Sequence, residues 1–163
     1  MSLKLPTAVD VTRILEMCIG TNPVLKQVEE PFNLASPPAG TYVSWLKDDT
    51  NEVRGAILAS LPAVAFLGGS MIMVPVGGQE DQVKAGAASE AIVDSMAEIN
   101  NMLRGLFNRL QENVHVSPAP MVLFKAPGAD DPNAWVLSPG ERVDMSGAFP
   151  YGKGQLTILS RAE

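Results

Sequence analysis

Residues 94–105 run Asp94-Ser95-Met96-Ala97-Glu98-Ile99-Asn100-Asn101-Met102-Leu103-Arg104-Gly105, inside a longer segment with helical periodicity. At about 100° per residue, the apolar side chains of this segment share one stripe. The stripe consists of Ile92, Met96, Ile99, Leu103, Leu106, Phe107 and Leu110. A continuous apolar stripe is typical of a helix that packs on a hydrophobic core. The pattern therefore predicts a long core-packed helix from about Val83 to Gln111.

The opposite side of the same helix has an unusual composition. It carries Asp94, Glu98, Asn101, Gly105 and Asn108, and Asn100 adds a further carboxamide at its edge. A helix face that is merely solvated favours Lys, Arg, Glu, Gln and Ala, whereas Asn and Gly are poor helix formers. We therefore predict that this side of the helix is presented to a partner.

Length and charge limit the possible functions. The chain has 163 residues and is 46% hydrophobic, which is typical of one globular domain over residues 1–163. Its formal net charge is −6, and it contains no basic cluster. Because nucleic acids and anionic membranes bind clustered Lys and Arg, we expect neither as a partner.

The sequence also favours a cytoplasmic protein. Cys18 is the only cysteine, so no internal disulfide is possible. The first residues lack the cationic start and continuous apolar core of a signal peptide. The uncharged segment 55–78 is interrupted by Pro62, Gly68-Gly69 and Pro75, which argues against a membrane-spanning helix.

Local patterns predict the remaining elements. Strands are expected near 24–28, 41–46, 53–61, 114–125, 135–137, 142–149 and 155–159. Further helices are expected near 9–18 and 62–73, and residues 76–83 are expected to form a Gly-rich connection. This arrangement predicts an α+β domain in which the long helix packs on an antiparallel sheet.

Common catalytic constellations are missing from the sequence. His115 is the only histidine, which excludes a multi-histidine metal site. The Gly-Gly pairs lack the residues of a phosphate-binding loop, and the Asp-Asp pairs lack the spacing of a calcium loop. We therefore expect no metal held by this chain.

The spacing Asp94-Ser95-x-x-Glu98-x-x-Asn101, followed by Met102 and Gly105, resembles the signature helix of the CheC/CheX/FliY family of chemotaxis phosphatases. The likeness is greatest to CheX, which has one such helix rather than two. The predicted order of elements over residues 40–160 is also similar. The resemblance implies a CheC-like α+β fold, with a mainly antiparallel sheet and long helices packed on it.

The resemblance further implies an activity. Family members remove the phosphoryl group from an aspartate of the CheY-type response regulator, which brings its own magnesium, so this chain is expected to hold no cofactor. By this resemblance, Asn101 orients the attacking water and Glu98 pairs with a regulator lysine. Asp94 and Ser95 support docking, and Gly105 allows close approach of the regulator.

Arg104 departs from the family pattern, in which that position is usually small or apolar. Its side chain either docks on the regulator or obstructs it.

Other functions and the oligomeric state are also considered. The same fold also serves as a non-catalytic adaptor or a flagellar-switch-like binding module. A small-molecule enzyme has little support, because no other polar cluster is evident. By resemblance to CheX, we also expect a homodimer joined through sheet strands.

Overall fold

The computed structural model describes residues 2–20 and 25–163. The helices in this part of the chain are α1 (Ala8–Ile19), α2 (Leu61–Met71), α3 (Val76–Ala85) and α4 (Glu90–Asn108). The strands are β1 (Lys26–Gln27), β2 (Tyr42–Asp48), β3 (Val53–Ala59), β4 (Val116–Pro118), β5 (Val122–Leu123), β6 (Arg142–Phe149) and β7 (Gly152–Ser160). They form one seven-stranded antiparallel sheet in the order β1-β6-β7-β3-β2-β4, and β5 also pairs with β2. The predicted α+β fold is confirmed.

The two faces of the sheet carry separate cores. Side chains alternate along β2, so Tyr42 and Leu46 pack into the larger core beneath the helices. Val43 and Trp45 point to the other face, where they join a smaller core. This smaller core is covered by Phe124, which follows β5, and by Val136 of the short helical segment Ala134–Leu137. The helices therefore occupy one side of the sheet, and α4 is their longest member.

Helix α1 forms as its sequence predicts. The Thr7 hydroxyl accepts a hydrogen bond from the Asp10 backbone N–H, which satisfies a free donor at the helix start. Gly20 ends the helix with a left-handed conformation (φ 68°) that glycine adopts without strain. Val11 and Leu15 are fully buried, so one face of α1 is fixed against the core.

Helices α2 and α4 pack closely at a glycine. A Cβ placed on Gly68 would lie 2.4 Å from the backbone oxygen of Ile92 in α4, which no side chain tolerates without movement. Gly68 therefore lets the two backbones approach more closely than any larger residue would allow. This contact sets the distance of the first turn of α4 from α2.

The prediction that residues 76–83 form an irregular connection is wrong, because the segment folds as α3. Its sequence gives a weak helical signal, since Gly77 and Gly78 lower its helix propensity. Tertiary contacts compensate: Gln79 is 2% exposed and donates from Nε2 to the Val74 carbonyl oxygen, and its Oε1 accepts a hydrogen bond from the Tyr151 hydroxyl. The helix is thus stabilised in part by Tyr151, a residue 72 positions along the chain from Gln79.

The predicted bounds of the long helix are also corrected. Gly86 ends α3 in a left-handed conformation, and Ser89 caps a new helix by accepting a hydrogen bond from the Ile92 N–H. The helix ends at Asn108, so Leu110 lies beyond it and is 36% exposed. The expectation that Leu110 belongs to the buried stripe is therefore wrong.

The segment Ala134–Leu137 is a short 3-10 helix rather than the predicted strand, and it places Val136 into the smaller core. The strand predicted over 114–125, with two prolines interrupting it, forms as the two short strands β4 and β5, because Pro118 and Pro120 have no N–H to donate to the sheet. The strand predicted at 24–28 corresponds to β1, and its first residue lies outside the described residues.

No helix in residues 2–20 or 25–163 combines the length and the apolar character needed to cross a membrane.

The close approach at Gly68 yields a prediction for stability. Gly68→Ala should lower the free energy of unfolding by roughly 1–3 kcal/mol, because its methyl group must displace the backbone of α4. Gly77→Ala is the matched control, since a Cβ there meets nothing within 4 Å. The control should leave stability unchanged or raise it by up to about 1 kcal/mol. Urea unfolding measures both, and equal effects of the two substitutions would contradict the packing described.

Candidate functional site

Helix α4 presents a polar surface to solvent, which we call the exposed face and define as Asp94, Glu98, Asn101 and Gly105. The first three are exposed, and Gly105 is half-buried. Their spacing of four, three and four residues keeps them on one side of the helix. The prediction that Glu98 and Asn101 are exposed is confirmed.

The opposite side of α4 holds this surface in place. Ile92, Met96, Ile99 and Leu103 are each at most 2% exposed and belong to the larger core. Burying such side chains contributes about 1.5–3 kcal/mol each relative to leaving them in water. Turning α4 enough to bury Asn101 would bring these apolar groups into water, so the exposed face is a direct consequence of the core.

The polar side chains of the exposed face have no hydrogen-bond or ion-pair partner among the described residues. Within the described part of the chain, the side chains of Asp94, Glu98 and Asn101 make no hydrogen bond and no ion pair. A Cβ added at Gly105 would meet nothing within 4 Å, so the helix surface is open beside it. The face therefore offers two unpaired carboxylates and one unpaired carboxamide to whatever approaches it.

Polar contacts fasten one flank of α4 to the edge of the sheet. Arg104 donates from Nη1 to the Ser117 hydroxyl at 3.3 Å. Asn108 accepts a hydrogen bond from the Val116 N–H and donates one to the Val116 carbonyl oxygen, both at 3.0 Å. We expected Asn108 on the partner-facing side, but it completes the hydrogen bonding of β4 instead. Arg104 lies at the border of the exposed face and is half-buried.

Two polar residues of the signature segment face inward. Ser95 was expected to support docking, yet it is only 7% exposed and offers little surface to a partner. Asn100 was expected at the edge of the polar side, but it is fully buried and donates from Nδ2 to the Ser44 hydroxyl at 3.1 Å. Sequence periodicity does not reveal this contact, because the two residues are 56 positions apart.

The other flank of α4 faces α1. Met102 is 45% exposed, and its Sδ accepts a weak hydrogen bond from the Cys18 thiol at 3.1 Å. Burial raises the pKa of the Cys18 thiol, which keeps it protonated at neutral pH. Cys18 is therefore a packing residue beside the exposed face rather than a nucleophile.

Other polar groups do not join this site. His115 is exposed, and its Nδ1 lies 3.3 Å from an Asp49 carboxylate oxygen near the β2–β3 turn. Among the described residues, no group of three or more His, Cys, Asp or Glu could hold a metal ion. The exposed face of α4 thus remains the candidate functional site.

Comparison with known proteins shows a shared fold. No protein-family model matches the sequence, and no curated protein does. A solved CheX from Borrelia burgdorferi, in complex with CheY, BeF3 and Mg²⁺, aligns with a TM-score of 0.58 at 15% identity over 95% of both chains. FliY from Thermotoga maritima aligns with a TM-score of 0.55 at 18% identity, over 93% of this chain and 82% of that one.

FliM from H. pylori, solved in complex with SpeE, is similar to the same degree. Its TM-score is 0.57 at 10% identity, over 94% of this chain and 81% of that one. The chain therefore has the fold shared by CheX, FliY and FliM, and the resemblance inferred from the signature helix is confirmed at the level of the fold. That fold occurs both in a protein solved with CheY and in one solved with SpeE.

The open surface at Gly105 yields a second prediction. Gly105→Ala should raise the free energy of unfolding by about 0.5–1 kcal/mol, because alanine is the better helix former and its methyl group meets no neighbour. Thermal unfolding checks this. A destabilised variant would mean that another part of the protein covers the exposed face.

Proposed function

We propose that this chain is a cytoplasmic phosphatase that removes the phosphoryl group from the aspartate of a CheY-type response regulator in chemotaxis signalling. The observation that carries the proposal is the presence of Glu98 and Asn101 together on the exposed face of α4, where neither side chain has a hydrogen bond or ion pair among the described residues. The fold supports it, since CheX has been solved with CheY, BeF3 and Mg²⁺. The magnesium belongs to the regulator, and this chain supplies no cofactor.

Asn101 is the proposed catalytic residue. Its carboxamide oxygen accepts a hydrogen bond from water and aligns the water oxygen in line with the bond that breaks, as a glutamine does in GTPases. A neutral amide suits this role, because a carboxylate would repel the anionic phosphoryl group. The catalysis consists mainly of placing a nucleophile, so it requires neither a histidine nor a reactive cysteine.

Glu98 is the proposed docking and alignment residue. It lies about one helical turn before Asn101 on the same face, and no cation of this chain neutralises it in the described structure. Its carboxylate is thus available to pair with the lysine of the regulator. Asp94 extends this acidic surface by a further turn, and docking at that turn falls chiefly to it because Ser95 is nearly buried.

Gly105 and Arg104 shape the other end of the face. The absence of a side chain at Gly105 leaves room for a loop of the regulator one turn after Asn101. Arg104 is held at the border by Ser117, so its guanidinium is anchored to the sheet edge rather than free to swing across the face. Its remaining exposed surface is available to the carboxylates around the regulator's magnesium.

A second candidate function is that of an adaptor. It is favoured by the likeness to FliM, which has been solved in complex with SpeE and with FliG. An adaptor would bind the regulator through the same acidic face without accelerating phosphate loss. The presence of both Glu98 and Asn101 favours the enzyme, since docking alone does not require a carboxamide at that position.

We also propose that the protein is a homodimer joined at a sheet edge. Val122 and Leu123 lie on the short strand β5, which pairs only with β2 in the described structure, and they are 49% and 55% exposed. Pairing would cover this edge, which otherwise invites aggregation. Light scattering should report twice the monomer mass, and a monomer at all working concentrations would remove the dimer without affecting the proposed activity.

Substitutions at the exposed face separate enzyme from adaptor. Asn101→Ala should reduce accelerated phosphate release by about a hundredfold while binding of the phosphorylated regulator changes little, because the amide acts on the transition state. Glu98→Ala should weaken both. Phosphate release from a phosphorylated CheY-type regulator and a separate binding titration measure the two effects.

Glu16→Ala is the matched control for Glu98→Ala. Glu16 is an exposed carboxylate on α1, so its removal changes the net charge by the same amount. It should leave both turnover and binding unchanged. If the wild-type protein binds the phosphorylated regulator but never accelerates phosphate loss, the adaptor function replaces the enzymatic one.

A further inference from the structure

A polar pair lies inside the apolar interface between α4 and the sheet. Asn100 of α4 and Ser44 of β2 are both fully buried and joined by the 3.1 Å hydrogen bond. On the same face of β2, Ser44 is flanked by the buried apolar side chains of Tyr42 and Leu46. Within residues 2–20 and 25–163, the second polar atom of the amide, Asn100 Oδ1, has no hydrogen-bond partner.

Stability does not account for this pair. Burying an acceptor without a partner costs its full desolvation free energy, and one neutral hydrogen bond offsets only part of such a cost. Apolar side chains at both positions would fill the same space without that loss. The pair therefore points to a property other than stability.

The hydrogen bond between Asn100 and Ser44 gives α4 a defined orientation about its own axis. Apolar contacts are non-directional and tolerate small rotations of a helix, whereas a hydrogen bond requires a defined angle. Asn100 directly precedes Asn101, so the two side chains leave the helix about 100° apart. A contact that restricts the rotation of the helix at Asn100 therefore also restricts the direction in which the Cα–Cβ bond of Asn101 leaves the helix.

The contact is the first of a row along α4. Arg104 and Asn108 follow Asn100 at intervals of four residues, and they bond to Ser117 and Val116 at the adjacent sheet edge. Residues four apart lie on one flank of a helix. The row thus ties this flank to β2 and β4 over two turns, next to the exposed face.

We propose that Asn100, acting through Ser44, is a positioning residue that sets the rotation of α4 so that Asn101 meets the attacking water in line. The proposal rests on the phosphatase function proposed above. It assigns Asn100 no contact with the substrate. Its effect passes through the helix backbone to Asn101, where a small error in angle slows an in-line attack much more than it weakens docking.

The test removes the polar pair without leaving an unpaired group. The double variant S44A/N100L should unfold at the same or a higher urea concentration than the wild type, because both buried polar groups are gone. Its kcat for phosphate release from a phosphorylated CheY-type regulator should fall by about tenfold or more, with KM changed less than about twofold. Ile158→Val, a small deletion in the same core, is the control that should lower stability without changing kcat.

The possible results distinguish a failure of the positioning role from a failure of the phosphatase function. A double variant with wild-type kcat would overturn the positioning role and leave the phosphatase function intact. If the double variant does not fold, Ser44→Ala alone decides, and undiminished turnover in that variant would equally overturn the role. A wild-type protein that accelerates no phosphate release removes the phosphatase function, and the positioning role falls with it.

Discussion

The burial of the apolar side of α4 determines which of its residues are presented to solvent. Ile92, Met96, Ile99 and Leu103 form a continuous stripe against the larger core, and Gly68 lets α2 close over the start of the helix. Because a helix is rigid, burying this stripe also places the opposite side in solvent. The exposure of Glu98 and Asn101 follows from apolar packing, and within the described residues neither side chain has a hydrogen bond or ion pair of its own.

The proposed chemistry agrees with the charges on this surface. A phosphorylated regulator presents an anionic phosphoryl group beside a metal ion and a lysine, so a partner needs one neutral group at the phosphorus and one negative group at the lysine. On α4, Asn101 is the neutral group and Glu98 is the negative group. The acidic face and the net charge of −6 also disfavour docking on polyanions, which leaves a cationic feature of a protein surface as the natural contact.

The α+β class and the exposed face were predictable from the periodicity of apolar side chains, whereas the CheC-like fold was implied by the resemblance of the signature helix. The 3.6-residue repeat of apolar side chains identified the buried stripe of α4, and local patterns predicted a helix near residues 9–18, where α1 forms. The sequence did not reveal α3, whose glycines weaken its helical signal and whose Gln79 is held by Tyr151 from far along the chain. Nor did it reveal the Asn100–Ser44 contact or the inward direction of Ser95, since both depend on tertiary neighbours.

In the proposed function, the exposed face of α4 meets the phosphorylated aspartate of the regulator. A structure of this protein bound to a CheY-type regulator activated with BeF3 and Mg²⁺ would show this contact. We expect α4 at the centre of the interface, with the Asn101 amide within hydrogen-bond distance of a water in line with the beryllium and Glu98 paired with a regulator lysine. A complex in which α4 stays exposed to solvent while the regulator binds another surface would contradict it.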